Sequence, residues 1–179
     1  MDFSKIRSYS QEANGHRADV HLINHYINNP NVNGIFLEIG GFDGITYSNT
    51  YVLEKYFNFK GILIEPSPIN YKKMIKNRPN CLNFNCAISN TNKIIEFIGD
   101  GTAVGGPKEI LDKMIQNNKK WSTQWKLKDN IVKVKTQKLS EVLDKSNIKY
   151  IDFWSLDVEG SELEVLQSMD WNIPVYIIV

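Results

Sequence analysis

The stretch Phe36-Leu-Glu-Ile-Gly-Gly-Phe-Asp-Gly44 decides the fold. It begins inside an apolar run, residues 35–39, and two glycines follow that run directly, which is typical of a buried strand ending in a tight turn. Further apolar runs, each predicted to be a strand, occupy residues 61–65, 82–88, 150–156 and 175–179, the last of them expected to be buried in the sheet. Because most of these runs are separated by stretches with helical periodicity, we expect an α/β fold with a mostly parallel sheet.

Helix signals lie between the apolar runs. Ser48 and Ser67 are expected N-caps, with Pro68 as the first residue of the second helix. Pro107 is expected to open a third helix. Shorter helices are expected at 139–143 and 161–169, a half-exposed strand at 131–136 and an antiparallel strand at 94–98.

Length and composition limit the function classes. Of the 179 residues, 42% are hydrophobic and 23% charged, so the chain can bury a core and is not disordered by composition. A net charge of +1 argues against a nucleic-acid binder that relies on bulk positive charge. No apolar run approaches the roughly 20 residues of a membrane span, and the first residues lack the apolar core of a signal peptide. Two cysteines are too few for a disulfide scaffold. We expect a cytoplasmic protein with free thiols.

The spacing of the glycines excludes two common nucleotide sites. A dinucleotide fingerprint needs glycine at relative positions 1, 3 and 6. Counted from Gly40, the third and sixth positions hold Phe42 and Ile45, and counted from Gly41 they hold Asp43 and Thr46. A phosphate loop of the GxxxxGK[ST] type is absent from the sequence. A hydride-transfer enzyme and a P-loop enzyme are therefore both disfavoured.

Acidic residues around this turn point to a different ligand. Glu38 and Asp43 would repel a pyrophosphate but suit a ligand with a cationic amino-acid end. Glu65 ends the next strand, at the position where an acid accepts both hydroxyls of a ribose. A ribose joined to a cationic amino-acid group describes S-adenosylmethionine. The alternative is a glycine turn with surface acids and no ligand.

Four motifs resemble the FkbM-type methyltransferases. They are Ile39-Gly-Gly-Phe-Asp-Gly-Ile-Thr-Tyr-Ser-Asn49, Gly61-Ile-Leu-Ile-Glu-Pro66, Asn85-Cys-Ala-Ile-Ser89 and Leu156-Asp-Val-Glu-Gly-Ser-Glu162. The resemblance implies a Rossmann-like class I methyltransferase fold with helices on both faces of the sheet. It also implies S-adenosylmethionine as cofactor and a hydroxyl of a sugar, polyketide or other small molecule as acceptor. Since the family's sheet continues past 175–179, we expect a single domain over 1–179 that lacks the last strands.

The resemblance implies a cofactor site drawn from these motifs. Glu38, Gly40, Asp43 and Gly44 would line the methionine end, Glu65 would hold the ribose, and Ala87 and Ile88 would lie beside the adenine. The full predicted set is Gln11, Glu38, Gly40, Gly41, Phe42, Asp43, Gly44, Thr46, Ser48, Asn49, Glu65, Pro66, Ala87, Ile88 and Asp157.

Two further carboxylates are the candidates for catalysis. A hydroxyl is a poor nucleophile unless a base takes its proton or a metal lowers its pKa. Asp157 and Glu159 follow a predicted strand at i and i+2, so they would share a face at its ligand-binding end. Asp157 is a candidate general base, with cofactor or substrate positioning and a structural role as alternatives. Glu159 would position substrate, or merely favour the helix after it. The pair could also hold Mg²⁺ or Mn²⁺, but no third ligand is evident, so a metal is not expected.

Other features are less specific. The N-terminal segment 1–30 is expected to be helical, and its His21 and His25, at i and i+4, lack the glutamate of a zinc-protease motif. The segment 99–138 is expected to be a glycine loop followed by a basic insertion. The glycine loop, 99–106, would be either a lid or a set of rigid turns.

Residues 108–138 hold nine lysines and three acids around Trp121 and Trp125. This composition suits an anionic substrate such as a nucleotide-linked sugar, or RNA, or simply a solvated surface. Together these features predict an O-methyltransferase that acts on a sugar, glycan or small molecule, as a monomer or homodimer. The alternatives are an RNA 2′-O-methyltransferase and a cofactor-binding module without turnover; nucleic-acid and membrane partners are not expected.

Overall fold

The computed structural model describes residues 7–10, 17–27, 33–117 and 130–179, except the side chain at 117. In chain order the elements are α1 (Ala18–Tyr26), β1 (Ile35–Ile39), α2 (Tyr51–Phe57), β2 (Lys60–Ile64), α3 (Pro68–Asn77), β3 (Leu82–Phe84), β4 (Ala87–Ile88), β5 (Ile94–Ile98), β6 (Gly106–Pro107), α4 (Lys108–Asn117), β7 (Ile131–Gln137), α5 (Leu139–Ser146), β8 (Ile151–Leu156), α6 (Glu162–Gln167) and β9 (Val175–Ile178). None of the described helices is long and apolar enough to cross a membrane.

The main sheet has five parallel strands in the order β3-β2-β1-β8-β9. In the register, Ile39 at the end of β1 pairs with Ile64 of β2 and with Leu156 of β8. The carboxyl ends of these three neighbouring strands are therefore level at one edge. The predicted α/β fold with a mostly parallel sheet is confirmed.

Helices cover both faces of this sheet because successive strand residues point to opposite sides. Leu37 and Ile39 of β1 belong to one buried cluster, which also contains residues of α5 and α6. Phe36, which directly precedes Leu37 and points to the opposite face, belongs to a second cluster with residues of α1, α2 and α3. This arrangement explains why the strands read as continuous apolar runs rather than alternating ones.

A second, smaller sheet has the order β4-β7-β5-β6. β5 runs antiparallel to both β7 and β6, as expected for residues 94–98. β7 alternates between exposed or half-buried and buried residues, as expected for a half-exposed strand. The short β4 pairs with β7 in parallel.

Two strand predictions are wrong. Residues 82–88 are not one strand but two, β3 and β4, in different sheets. The Asn85 side-chain amide donates to the carbonyl oxygens of Glu65 and Pro66, at 2.8 and 3.1 Å, and this turns the chain out of the main sheet. The run 175–179 is not buried either. β9 is the last strand of its sheet, and Tyr176 is 70% exposed.

The predicted helix caps are correct at Ser67 and shifted near Ser48. The Ser67 hydroxyl accepts the Asn70 N–H at 3.1 Å, and Pro68 is the first residue of α3. α2 begins only at Tyr51, whose N–H donates to the Ser48 hydroxyl at 3.0 Å. Ser48 thus supports the start of the helix from two residues before the N-cap position.

The first described segment, residues 7–10, is fixed by the fully buried Asp19 in α1. Its carboxylate accepts hydrogen bonds from the Ser8 hydroxyl and the Tyr9 N–H, both at 2.7 Å. Ser10 forms an isolated bridge to Tyr47, beside the glycine turn. Asp19 is therefore a structural residue. Gln11 and the segment 118–129 with its two tryptophans lie outside the described residues.

Candidate active site

A cleft opens where β1, β2 and β8 end, and it encloses about 740 Å³ of empty space, part of it open to solvent. One wall comes from the main sheet, and the other from the second sheet and the glycine loop before β6. Its lining residues are Ile39, Gly40, Phe42, Glu65, Pro66, Asn70, Cys86, Ala87, Ile88, Phe97, Gly99, Thr102, Ala103, Gly105, Gly106, Pro107, Asp157, Val158, Glu159 and Ser161. The cleft therefore includes residues from all four sequence motifs.

The glycine turn after β1 requires glycine at two positions. Gly40 has a φ of +91°, and a Cβ there would come within 2.2 Å of the Asp157 carbonyl oxygen. Gly44 has a φ of +83°, and a Cβ there would approach a side-chain carbon of Arg78 to 2.8 Å. The N–H groups of Gly40 and Gly41 both donate to the Ile64 carbonyl oxygen, at 3.0 and 3.1 Å. The turn is thus tied to β2 and lies against the end of β8.

Glu65 is buried at the end of β2 and lines the cleft. Its two oxygens accept the N–H groups of Phe42 and Ser67, each at 2.8 Å. Burial is the largest influence on this group and raises its pKa to about 7, although the two N–H donors oppose the shift; the nearby Asp100 charge adds to it. The Asn70 side chain also interacts with this carboxylate and opposes the shift. Of about four lone-pair positions, Glu65 therefore keeps capacity for a further donor such as a hydroxyl group.

Glu38 is buried differently. It accepts hydrogen bonds from the Ser48 and Thr50 hydroxyls, at 2.8 and 2.7 Å, and from the Asn49 N–H at 2.8 Å. The Arg78 guanidinium lies 3.9 Å from the same carboxylate. Burial raises the pKa of Glu38, and these partners oppose that shift. Glu38 does not line the cleft; it holds the segment that leads into α2.

Other predicted turn residues likewise serve the backbone. Asp43 accepts hydrogen bonds from the N–H groups of Ile45 and Thr46, at 2.9 and 2.7 Å, and from the Thr46 hydroxyl at 2.8 Å. These contacts form an Asx-turn. The Asn49 amide donates to the Ser155 hydroxyl at 2.9 Å. The predicted cofactor residues that do not line the cleft are Glu38, Gly41, Asp43, Gly44, Thr46, Ser48 and Asn49.

Arg78 is a residue that sequence reasoning missed. It follows α3, is fully buried and pairs with Glu54. Its guanidinium also donates to the Gly44 carbonyl oxygen at 2.9 Å and to the hydroxyls of Ser48 and Thr50, both at 3.3 Å. Arg78 thereby ties the glycine turn to α2 and α3. An arginine at a helix end is usually a surface residue, so only the fold reveals this role.

Asp157 and Glu159, which the sequence predicts on one face, both line the cleft. Neither side chain makes a hydrogen bond to any other residue in the described part of the chain. Partial burial raises the pKa of Asp157 although the residue reaches solvent through the cleft, and the charge of Glu162 adds to the shift. Burial is also the largest influence on Glu159 and raises its pKa, and the charges of Asp157 and Glu162 add to the shift. The two carboxylates are thus acceptors without donors.

The glycine loop 99–106 forms part of the cleft wall and is hydrogen-bonded to α3. The Ser67 hydroxyl donates to Asp100, and the Gly101 N–H donates back to that hydroxyl at 3.0 Å. The Asn70 amide donates to the Thr102 carbonyl oxygen at 2.8 Å. Gly99 and Gly101 have φ values of +99° and +81°. These bonds favour the rigid-turn alternative over a lid.

Two polar atoms along the cleft lack hydrogen-bond partners among the residues that the structure describes. Asn70 and Ser161 are 2% and 6% exposed, and both line the cleft. The Asn70 Oδ1 and the Ser161 Oγ are buried without a hydrogen bond. Buried polar atoms usually have partners, so a ligand is a natural source of the missing ones. The sequence contains no periodic or motif signal for Asn70, whereas Ser161 stands inside the fourth motif.

The two described histidines lie outside the cleft. His21 and His25 of α1 lie with their rings 4.3 Å apart, in a groove between that helix and β9. Among the residues that the structure describes, no group of three or more His, Cys, Asp or Glu side chains could hold a metal ion. His16 lies outside the described residues.

Comparisons with known proteins identify the family of the chain. No curated protein and no solved structure gives a significant match to the chain. The family described as "Methyltransferase FkbM domain" matches residues 38–179, which include the end of β1, every described element after it and all four motifs. This chain therefore belongs to the FkbM methyltransferase family.

Proposed function

We propose that this chain transfers a methyl group from S-adenosylmethionine to a hydroxyl oxygen of a sugar, glycan or other small molecule, on a class I methyltransferase fold. One observation carries the proposal. The charged residues that line the cleft are Glu65, Asp157 and Glu159, and no basic residue is among its described lining. Such a cleft favours a ligand that is cationic and rich in hydrogen-bond donors.

The residues present fit this cofactor. Glu65 stands after β2 and keeps capacity for a further hydrogen-bond donor, which suits a ribose hydroxyl. Ala87 and Ile88 offer an apolar surface suited to adenine. A phosphate-bearing dinucleotide would instead meet three carboxylates.

When bound, the cofactor supplies a methyl group on a positively charged sulfur. Methyl transfer then depends mainly on alignment of the acceptor oxygen, together with removal of its proton. We assign the proton to Glu159, which lines the cleft and accepts no hydrogen bond from the described residues, so its carboxylate is open to an acceptor hydroxyl. Burial and neighbouring carboxylates raise its pKa, which favours proton uptake. Asp157, beside it, keeps the local charge favourable to a cation.

The charges of the cleft lining also limit which acceptors can react there. A phosphate close to the transferred methyl group would face Asp157 and Glu159 without a basic partner in the described lining. We therefore propose an acceptor whose reacting end is a neutral hydroxyl. The same argument disfavours RNA. Any anionic portion of the acceptor would have to extend away from the described cleft lining.

Calorimetric titration with S-adenosylhomocysteine tests the donor site. The wild-type chain is expected to bind it, and Glu65→Ala to lose most of that binding. Glu96→Gln is the control, because this glutamate is exposed on β5 and outside the cleft. A folded wild-type chain that does not bind would refute the proposal. Release of S-adenosylhomocysteine from S-adenosylmethionine with a panel of sugar acceptors then separates an enzyme from a binding module.

A further inference from the structure

Two carboxylates compete for the role of holding the cofactor's amino-acid end: Glu38 within β1 and Asp157 after β8. The sequence resemblance places Glu38 there. A carboxylate has about four lone-pair positions. In Glu38, three of them accept hydrogen bonds of 2.7–2.8 Å and the Arg78 guanidinium lies 3.9 Å away. Glu38 is also only 3% exposed and does not line the cleft. With three positions occupied, a cationic partner already nearby and no exposure to the cleft, Glu38 is poorly placed to bind a ligand's ammonium group.

Asp157, unlike Glu38, lines the cleft and has an open carboxylate. It lines the cleft directly beside the glycine turn, since a Cβ on Gly40 would lie 2.2 Å from the Asp157 carbonyl oxygen. Its carboxylate accepts no hydrogen bond from the described residues. The Ser161 hydroxyl, four residues later, is 6% exposed, lines the same cleft and has no hydrogen-bond partner within the described ranges of the chain. An ammonium group offers three donors and no acceptor, which matches a free carboxylate plus a free hydroxyl.

We propose that Asp157, together with the Ser161 hydroxyl, binds the ammonium group of the cofactor's methionine portion, and that Glu38 is a positioning residue without cofactor contact. This inference rests on the proposed function. It separates the two acids of the fourth motif: Asp157 binds the donor, and Glu159 faces the acceptor.

Two ligands make the test specific. S-adenosylhomocysteine carries the amino-acid portion, whereas 5′-methylthioadenosine shares the nucleoside and the sulfur but lacks that portion. Loss of a charge-assisted hydrogen bond in Asp157→Asn should weaken S-adenosylhomocysteine binding about 10–100-fold. The affinity for 5′-methylthioadenosine should change by less than about twofold, because the removed contact is not made to that ligand. Ser161→Ala should shift the two affinities in the same pattern, by a smaller factor.

The variants can be checked for folding independently of binding. Asp157→Asn breaks no described hydrogen bond and removes repulsion with Glu162, so its melting temperature should be unchanged or higher. Glu162→Gln is the matched control, because it removes that neighbouring charge outside the cleft lining and should spare both affinities. Thr50→Val removes one donor to Glu38 and should lower stability without changing the ratio of the two affinities.

The outcomes separate the inference from the proposed function. Equal weakening of both ligands in Asp157→Asn would overturn the inference, as would unchanged binding with lost turnover, which would place Asp157 on the acceptor side. A Thr50→Val variant that selectively loses S-adenosylhomocysteine would return the contact to Glu38. A wild-type chain that binds neither ligand contradicts the proposed function itself.

Discussion

Cofactor affinity should depend on pH through Glu65. Burial raises the pKa of this carboxyl to about 7 in the free protein. The ionised carboxylate only accepts hydrogen bonds, whereas the protonated acid uses one oxygen as a donor. A ribose therefore binds the ionised form better, and affinity should rise as the pH rises through 7.

The size of the effect follows from the fraction ionised. With a pKa of about 7, roughly 10% of Glu65 is charged at pH 6 and roughly 90% at pH 8. If the complex titrates well below pH 6, the dissociation constant of S-adenosylhomocysteine should fall about tenfold between these pH values. A complex that titrates near pH 6 would reduce this change to about fivefold.

Calorimetry at pH 6, 7 and 8 measures this change directly. Titrations in buffers of different ionisation enthalpy also count the proton released on binding at pH 6, which should approach one per complex for the full tenfold change. Glu65→Gln removes the titrating group and should give a weak, flat profile, while Glu96→Gln should retain the slope. An affinity that stays constant or falls between pH 6 and 8 would refute the reasoning.

Three further predictions concern the scaffold. Gly40→Ala should cost more than about 3 kcal/mol in urea unfolding, because it adds backbone strain and a Cβ 2.2 Å from a carbonyl oxygen. Gly101→Ala, with similar strain but only a side chain at 3.3 Å, should cost about 1 kcal/mol, so equal losses would contradict this account. Arg78→Met removes the cation that pairs with the buried Glu38 and the partly buried Glu54, and should cost about 3–5 kcal/mol in the same assay. A loss below about 1 kcal/mol would mean that these ion pairs do not support the turn. Cys81 and Cys86 are buried, which raises the pKa of each thiol to about 12, so neither should react with a thiol reagent at pH 8 until the protein unfolds. Fast labelling of the native protein would show that one of them is accessible.

The sequence predicted the parallel sheet because its strands are covered on both faces. Continuous apolar runs at β1, β2 and β8 follow from that burial, and acids directly after such runs come together at one sheet edge. This is why Glu65, Asp157 and Glu159 could be assigned to one cleft before the structure was known.

Side-chain partnerships were not predictable in the same way. Glu38 and Glu65 both stand at or near strand ends, and their sequence contexts give no hint that one is saturated and the other open. The difference depends on the hydroxyls of residues 48–50 and on Arg78, which reach Glu38 only after α2 and α3 have packed. The break at Asn85 is a similar case, because it depends on carbonyl oxygens twenty residues away.

The chain crosses from the main sheet to the second sheet at Asn85, and this crossing affects how the protein resists degradation in the cell. The cleft is lined from both sheets, so a bound ligand would contact both of them, in addition to the buried cluster that already packs β4 against the main sheet. Any opening of the smaller sheet would then release the ligand, and mass action would oppose that opening more strongly as the ligand concentration rises above the dissociation constant. Resistance of the smaller sheet to proteolysis, and with it the steady-state amount of the protein, should therefore follow the supply of its cofactor.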